Sequence, residues 1–301
     1  MELDNSGDTA ETILLAEDDD ATRLLLRTAL AGDGYQFLEA KDGIEAVALF
    51  ERHRPNLVLV DLAMPGLNGL EACARIKASS ENTPIVVITA INDERLVKSA
   101  FAAGVTDYLT KPLHWAVARY RIRRILDSAH TERRLRLLAY HDTVTGLPNR
   151  PLFYDRVWMA LARADRSGHL LALMVLGIDG FHPINERHGR KTGEELLRRV
   201  ADRLTAAVRK NDTVARFGGD QFTVLLEDLS SPGDVYPVVD KLLAMVKEPI
   251  EIDGVELRVT ASIGIAYRPT DGHDMERLIH VAETHMEHVR MNGGDGYRTT
   301  D

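Results

Sequence analysis

Three acidic residues stand where short apolar runs end: Glu17 and Asp18 after ILLA (13 to 16), and Asp61 after NLVLV (56 to 60). A further run, PIVVITA, carries Thr89 near its end, and a short one around Tyr108 is followed by Lys111 and Pro112. Carboxylates brought together raise one another's pKa unless a cation sits among them, and hard oxygen donors suit Mg2+. A lone acid in a loop is ordinarily a solvated residue or a helix cap, the reading that suits Asp19 and Asp20. The full set of Glu17, Asp18, Asp61, Thr89 and Lys111 instead predicts one carboxylate pocket with an ammonium and a hydroxyl beside it. A second cluster lies in RFGGDQF, where Gly218 and Gly219 permit positive φ, admit a ligand close to the backbone and present Asp220 at a hairpin tip.

The elements that must position the first set alternate from Thr12 to Pro112. Its apolar runs are unalternating and rich in branched residues, as in strands buried on both faces of a parallel sheet. A weaker strand is predicted at 35 to 40, and amphipathic helices at 21 to 31, 43 to 53, 69 to 78 and 94 to 103. A doubly wound α/β domain with five parallel strands follows, and in such a sheet the loops after the strand C-termini converge on one edge. No Gly or Pro interrupts the chain from Leu113 to Val144, which predicts one helix leading out of this domain. That helix carries Arg119, Arg121, Arg123, Arg124, Arg133, Arg134 and Arg136 against Asp127 and Glu132. Its stripe of Ala118, Ile122, Ile125 and Ala129 suits a helix pair across a dimer axis.

The second half opens with a helix through Arg163 and the buried strand LLALMVLGI. A helix at 192 to 208, the hairpin TVARF/FTVLL, a helix at 235 to 246, strands near Ile250 and at 257 to 266, and a last helix to Arg290 complete it. Antiparallel strands with helices packed on them make an α+β domain.

A length of 301 residues accommodates two domains. Residues 1 to 115 hold ten Lys and Arg against nineteen Asp and Glu, so the whole net charge of −9 resides there and the remainder is formally neutral. This balance argues against a nucleic-acid partner. The apolar runs fall short of the roughly 20 residues a membrane helix needs, and the start MELDNSGDTAET is acidic rather than a basic-then-apolar signal. A cytoplasmic protein with no membrane partner is expected. The lone Cys73 excludes an internal disulfide and reads as a small core residue. His280, His285 and His288 miss the i, i+4 spacing of a helical zinc pair and read as helix surface.

The segments AEDDDATR, VDLAMPGLNG, ITA and DYLTKP follow in the order and spacing of a response-regulator receiver domain, which residues 12 to 128 resemble. The resemblance implies that Asp61 accepts a phosphoryl group from a cognate histidine kinase. It also implies that Asp18, Asp61 and the Ala63 carbonyl hold Mg2+, with Glu17 in a position where Asp is commoner. Lys111 pairs with the acyl phosphate, Thr89 swings onto a phosphoryl oxygen and Tyr108 follows inward.

After a helical linker (129 to 140), residues 141 to 301 carry HDTVTGLPNR, IDGFHPINERHG, GEELL and RKNDTVARFGGDQF. They resemble the GGDEF domain of the diguanylate cyclase family, which joins two GTP molecules into cyclic di-GMP across a dimer. The resemblance implies metal ligation by Asp220 and the Ile178 carbonyl, and nucleotide binding by Phe181, His182, Asn185, Glu194, Gly218, Gly219 and Arg290. It further implies a cyclic di-GMP inhibitory site at Arg209 and Asp212.

The pattern departs where catalysis is concentrated. Gly177 replaces a Mg2+-binding Asp, Gln221 the glutamate of the signature, His182 a lysine and Gly294 an arginine. Asp179 is left as the alternative metal ligand. A response regulator is expected, in which phosphorylation at Asp61 controls a homodimeric output domain that binds GTP or cyclic di-GMP with little or no cyclase turnover. An active cyclase and a protein-interaction module with a downstream partner are the alternatives. Any phosphodiesterase activity is expected from another chain.

Overall fold

The computed structural model describes residues 10–90 and 94–300, so the acidic first nine residues lie outside the described residues. The chain divides into two units with a boundary at Leu135/Arg136.

In the first unit, β1 (Thr12–Ala16), β2 (Gln36–Ala40), β3 (Leu57–Asp61), β4 (Ile85–Ala90) and β5 (Asp107–Lys111) form one sheet in the order β2-β1-β3-β4-β5. Every pairing is parallel. Successive side chains point to opposite faces, and both faces are covered. Leu14, Val58, Val60, Ile85 and Val87 pack with Ala46 and Phe50 of α2 (Gly43–His53), Cys73 and Ile76 of α3 (Gly69–Ser79) and Ala100 of α4 (Glu94–Ala102). Ile13, Leu15, Leu57, Leu59, Val86 and Ile88 pack with Leu26 and Leu30 of α1 (Asp20–Leu30) and Ala118, Ile122 and Leu126 of α5 (Trp115–Tyr140). Burial on both sides is why the runs do not alternate. Burial also pushes the Cys73 thiol up to about 12, which leaves it an inert core residue.

Two expectations need correction here. Of the two acids before α1, Asp19 alone caps it, accepting from Thr22 N, while Asp20 is the first helical residue and pairs with Arg23. The expected dimer stripe of α5 is not free: Ala118 and Ile122 are buried in the first unit's core and Ile125 packs against it. Part of the arginine face also folds back on local acids. Arg119 and Arg123 each reach Asp33 at 2.7 Å, and Arg121 lies 3.5 Å from Asp107.

The second unit is built on β6 (Leu170–Ile178), antiparallel to both β8 (Gln221–Leu229) and β11 (Ala261–Arg268). With β7 (Thr213–Gly218) and β12 (Gly296–Arg298) at the edges, the order is β12-β11-β6-β8-β7. Ala172, Met174, Leu176 and Ile178 face α8 (Arg190–Ala207) and α9 (Tyr236–Lys247), while Leu171, Leu173 and Val175 face α6 (Arg150–Ser167) and α10 (Met275–Met291). Strands β9 (Ile250–Ile252) and β10 (Val255–Leu257) form a separate hairpin. A Cβ on Gly264 of β11 would overlap Ala282 O and Met286 N, so α10 lies directly on that strand.

Sequence patterning misses α7 (Phe181–His188) and β12. Helix α7 buries no residue fully and contains Pro183. The proline occupies the third position, where a backbone N–H has no intrahelical partner to lose. Strand β12 has three residues, too few to show a period.

Candidate functional site

Because β1 and β3 are parallel neighbours with Ala16 opposite Val60, the residues that follow them meet. One carboxylate oxygen each from Glu17, Asp18 and Asp61 lies within 4.8 Å of the others. Lys111, at the end of β5, donates from Nζ to Asp61 Oδ2 at 2.6 Å and to Glu17 Oε2 at 2.9 Å. Glu17 and Asp61 are buried and Asp18 is exposed, so solvent reaches the acidic set at Asp18. Burial, with the neighbouring Asp61 charge, raises the Glu17 pKa although Lys111 opposes the rise. Burial disfavours the Lys111 ammonium, yet its bonds to Asp61 and Glu17 outweigh that and hold its pKa above the ordinary range. Three carboxylates with one exposed member fit a hard divalent cation.

The loop after β3 is locked by short-range contacts. Asp61 Oδ1 accepts from Ala63 N at 3.1 Å, which ties residue 63 beside the carboxylate. A Cβ on Gly69 would overlap Asp61 O, so the start of α3 sits directly on this loop. Thr89 Oγ1 bonds Ala90 O at 3.2 Å, and the half-buried Tyr108 ring stands edge-on to Phe101 at 6.1 Å. Sequence reasoning missed Arg23, a buried arginine that donates to Glu17 O at 2.6 Å and thereby props the acidic loop. Its signal was its place on the same helix face as Leu26 and Leu30, at i, i+3 and i+7.

In the second unit the β7/β8 hairpin presents Asp220 between Gly219 and Gln221, with φ of +130° at Gly218 and +54° at Gly219. Arg216 fixes the hairpin from beneath, donating to Gly219 O at 2.7 Å and to Asp142 Oδ1 at 2.8 Å. Sequence reasoning missed this arginine too, although a charged residue in the otherwise buried run of β7 was a signal for it. Asp220 faces a cavity of about 370 Å3 lined by Ile178, Phe181, His182 and Arg290 among others. Arg290 Nη2 donates to Asp220 Oδ2 at 2.6 Å.

The sequence profile of the diguanylate cyclase GGDEF domain matches residues 139–296, and that of the response regulator receiver domain matches residues 13–123. The chain belongs to the GGDEF family and carries a receiver domain before it. The Pseudomonas aeruginosa bifunctional diguanylate cyclase/cyclic di-GMP phosphodiesterase MucR is 40% identical over 169 residues, 56% of this chain and 24% of that protein. The diguanylate cyclase TpbB of the same organism is 37% identical over 149 residues, 49% of this chain and 34% of that protein. The matched part thus spans about a quarter to a third of those relatives. The crystal structure of the TpbB GGDEF domain aligns with a TM-score of 0.51 at 34% identity, over 52% of this chain and 98% of that one.

The GGDEF domain departs from the expected metal site in two ways. The Asp179 carboxylate, the expected alternative ligand, accepts from Thr260 Oγ1 at 2.7 Å, Ser262 Oγ at 2.7 Å and Asp295 N at 3.0 Å. Asp179 and Asp220 both line the cavity with Ile178, and the Arg290 guanidinium is paired with Asp220. Asp179, Asp220 and Arg290 sum to a formal charge of −1, against −2 for Glu17, Asp18, Asp61 and Lys111, so this cavity is the poorer fit for Mg2+.

The remaining residues divide by location. His182 is exposed and lies 3.2 Å from Glu186 one turn on. Asn185 Oδ1 is buried against Gly193 without a hydrogen-bond partner, and Glu194 pairs with Arg190 at 2.8 Å. Neither Asn185 nor Glu194 lines the Asp220 cavity. In the turn before β7, Asp212 Oδ2 accepts from Arg209 N at 2.9 Å, leaving the Arg209 side chain exposed. Among the described residues, Glu17, Asp18 and Asp61 are the one group of three or more acid, Cys or His ligands close enough to share a metal, and the C-terminal histidines form no such group. No described helix is long and apolar enough to cross a membrane.

Proposed function

We propose that this chain is a response regulator of cyclic di-GMP signalling, in which phosphorylation of Asp61 by a histidine kinase controls a GGDEF domain that binds a guanine nucleotide, GTP or cyclic di-GMP, without appreciable cyclase turnover. Asp61 supplies the carboxylate nucleophile and Lys111 the cation that pairs with the incoming phosphoryl oxygens. Glu17, Asp18 and Asp61, together with the Ala63 carbonyl, would hold Mg2+. Bound there, the ion supplies neutralisation of phosphoryl charge. The α5 helix is the route by which the change reaches the output domain, with a homodimer as its working form.

The observation that carries the loss of turnover is the engagement of Asp179 by Thr260, Ser262 and Asp295. Gly177 and Gln221 stand where the family carries acidic residues, which argues against a metal pair or a general base beside Asp220. The unpartnered Asn185 amide oxygen and the glycine-framed cavity support retained nucleotide binding. The exposed Arg209 supports a cyclic di-GMP contact, since a planar forked donor suits guanine edges and phosphates.

The test is incubation of the beryllofluoride-activated protein with Mg-GTP, quantifying cyclic di-GMP, beside calorimetric titration of both nucleotides. Binding without product is expected. Turnover comparable to that of an intact cyclase overturns the reading, and absence of binding by either nucleotide leaves protein interaction as the role of the domain.

A further inference from the structure

We propose that the Arg290 guanidinium is the resident cation of the GGDEF cavity, so that this cavity takes its nucleotide without a divalent metal. The proposal rests on the nucleotide-binding reading above. Gly177 lies on β6 opposite Gln221 and Ser262, at the sheet end next to Asp220. A Cβ placed on it would overlap Arg290 Nη2 and lie 2.9 Å from Arg290 Cζ and 3.1 Å from Met286 Sδ. The arginine head thus fills the volume that any side chain at position 177 would need. From there Nη2 bonds Asp220 Oδ2 at 2.6 Å, while Nη1 stands 3.8 Å from Glu287 Oε1.

Charge and donors both point the same way. Asp220 and Arg290 neutralise each other, and Asp179 is held by three donors of its own. A divalent ion entering on Asp220 would have to displace the Arg290 guanidinium from it or share the carboxylate with that charge. The Arg290 side chain is 30% exposed at the cavity while its Nε is buried, so a ligand phosphate would meet the Nη groups. A guanidinium presents five N–H groups in a planar fork that matches phosphate oxygens. Arginine here combines two tasks, offsetting the Asp220 charge and donating to ligand phosphate, that a metal ion would otherwise perform.

The test uses Mn2+ as a spin probe on the full chain, counting bound ions by electron paramagnetic resonance. One Mn2+ per chain is expected, lost in the Asp18→Asn/Asp61→Asn variant. A second Mn2+ that Asp220→Asn removes overturns the proposal, and this count needs no nucleotide. Calorimetry then compares GTP in EDTA and in excess Mg2+. An affinity that changes by less than about twofold between the two, and falls roughly tenfold in Arg290→Met, is expected for a phosphate held by a charged fork. An affinity that requires Mg2+ overturns the proposal. If GTP binds under neither condition, the nucleotide-binding reading of this cavity fails, and the Mn2+ count alone decides whether Arg290 excludes the metal.

Discussion

Lys111 Nζ bonds both Asp61 Oδ2 and Glu17 Oε2, so one ammonium bridges the carboxylate expected to react and the buried acid beside it. In Lys111→Met both acids lose this partner and an incoming phosphoryl group loses its cation. Labelling by acetyl phosphate is expected to slow by roughly 10²-fold, the scale of removing one preorganised charge donor. Asp61→Asn abolishes it. Label retained by Asp61→Asn would remove the phosphoacceptor assignment.

Asp18 is the exposed member of the acidic set, and its loss leaves Glu17 and Asp61 in place. Asp18→Asn is expected to weaken Mg2+ binding about tenfold or more, since affinity for hard cations follows the number of charged ligands. Mg2+-dependent protection of the β1 and β3 amides from hydrogen exchange reports this. Equal protection in the variant and the parent would exclude Asp18 as a ligand.

Arg216 and Asp142 form a largely buried pair beneath the Gly218–Gly219 turn. Burial raises the Asp142 pKa, but the bonds from Arg216 and Thr145 outweigh it and hold the carboxyl below its ordinary range. Asp142→Asn, which leaves Arg216 buried without its counter-charge, is expected to destabilise the β7/β8 hairpin by about 3 kcal/mol. On acidification the unfolded carboxyl takes up its proton first, so the unfolded state binds more protons over that window. The pair's contribution is therefore full above about pH 4 and is lost as pH falls through the lowered folded-state value. Hydrogen exchange along β7 and β8 as a function of pH should show this dependence in the parent and its absence in Asp142→Asn.

Gly264 lies under α10, where backbone atoms of Ala282 and Met286 occupy the space of a Cβ. Backbone cannot swing aside as the tip of a side chain can, so Gly264→Ala is expected to destabilise the GGDEF domain by about 3 kcal/mol. Gly168→Ala is the contrast: a Cβ there meets no atom within 4 Å, and the added strain comes from its φ of +74° alone. That substitution should be milder, about 1 kcal/mol. Thermal unfolding followed in the GGDEF domain would refute the packing argument if the order were reversed.

Much of this organisation was legible in the residues because it is local or periodic. The runs ending at Ala16, Val60 and Ala90 are apolar without alternation because both faces of the sheet are covered, and parallel order brings their ends to one edge. Hence Glu17, Asp18, Asp61 and Lys111 could be grouped before any coordinates. The helix over Phe181–His188 was hidden by Pro183 and by the absence of a fully buried stripe. The apolar stripe of α5 was visible, but a stripe does not name the surface that covers it, and the sheet of the first unit covers most of it.

The sequence by itself determined two domains, pointed to Asp61 as the carboxylate expected to react, and placed Gly177 and Gln221 where acidic residues are expected. Tertiary structure alone decided how the remaining charges are spent. Asp179 and Thr260 are 81 residues apart, and Arg290 and Asp220 are 70 apart. Patterning along the chain records which face a residue occupies, whereas a charge pair depends on a distance of a few ångströms set by how whole strands and helices pack. Arg290 could be read from the sequence as a phosphate ligand. Only the packing of α10 on β6 showed its guanidinium standing on Asp220 in the space Gly177 leaves open.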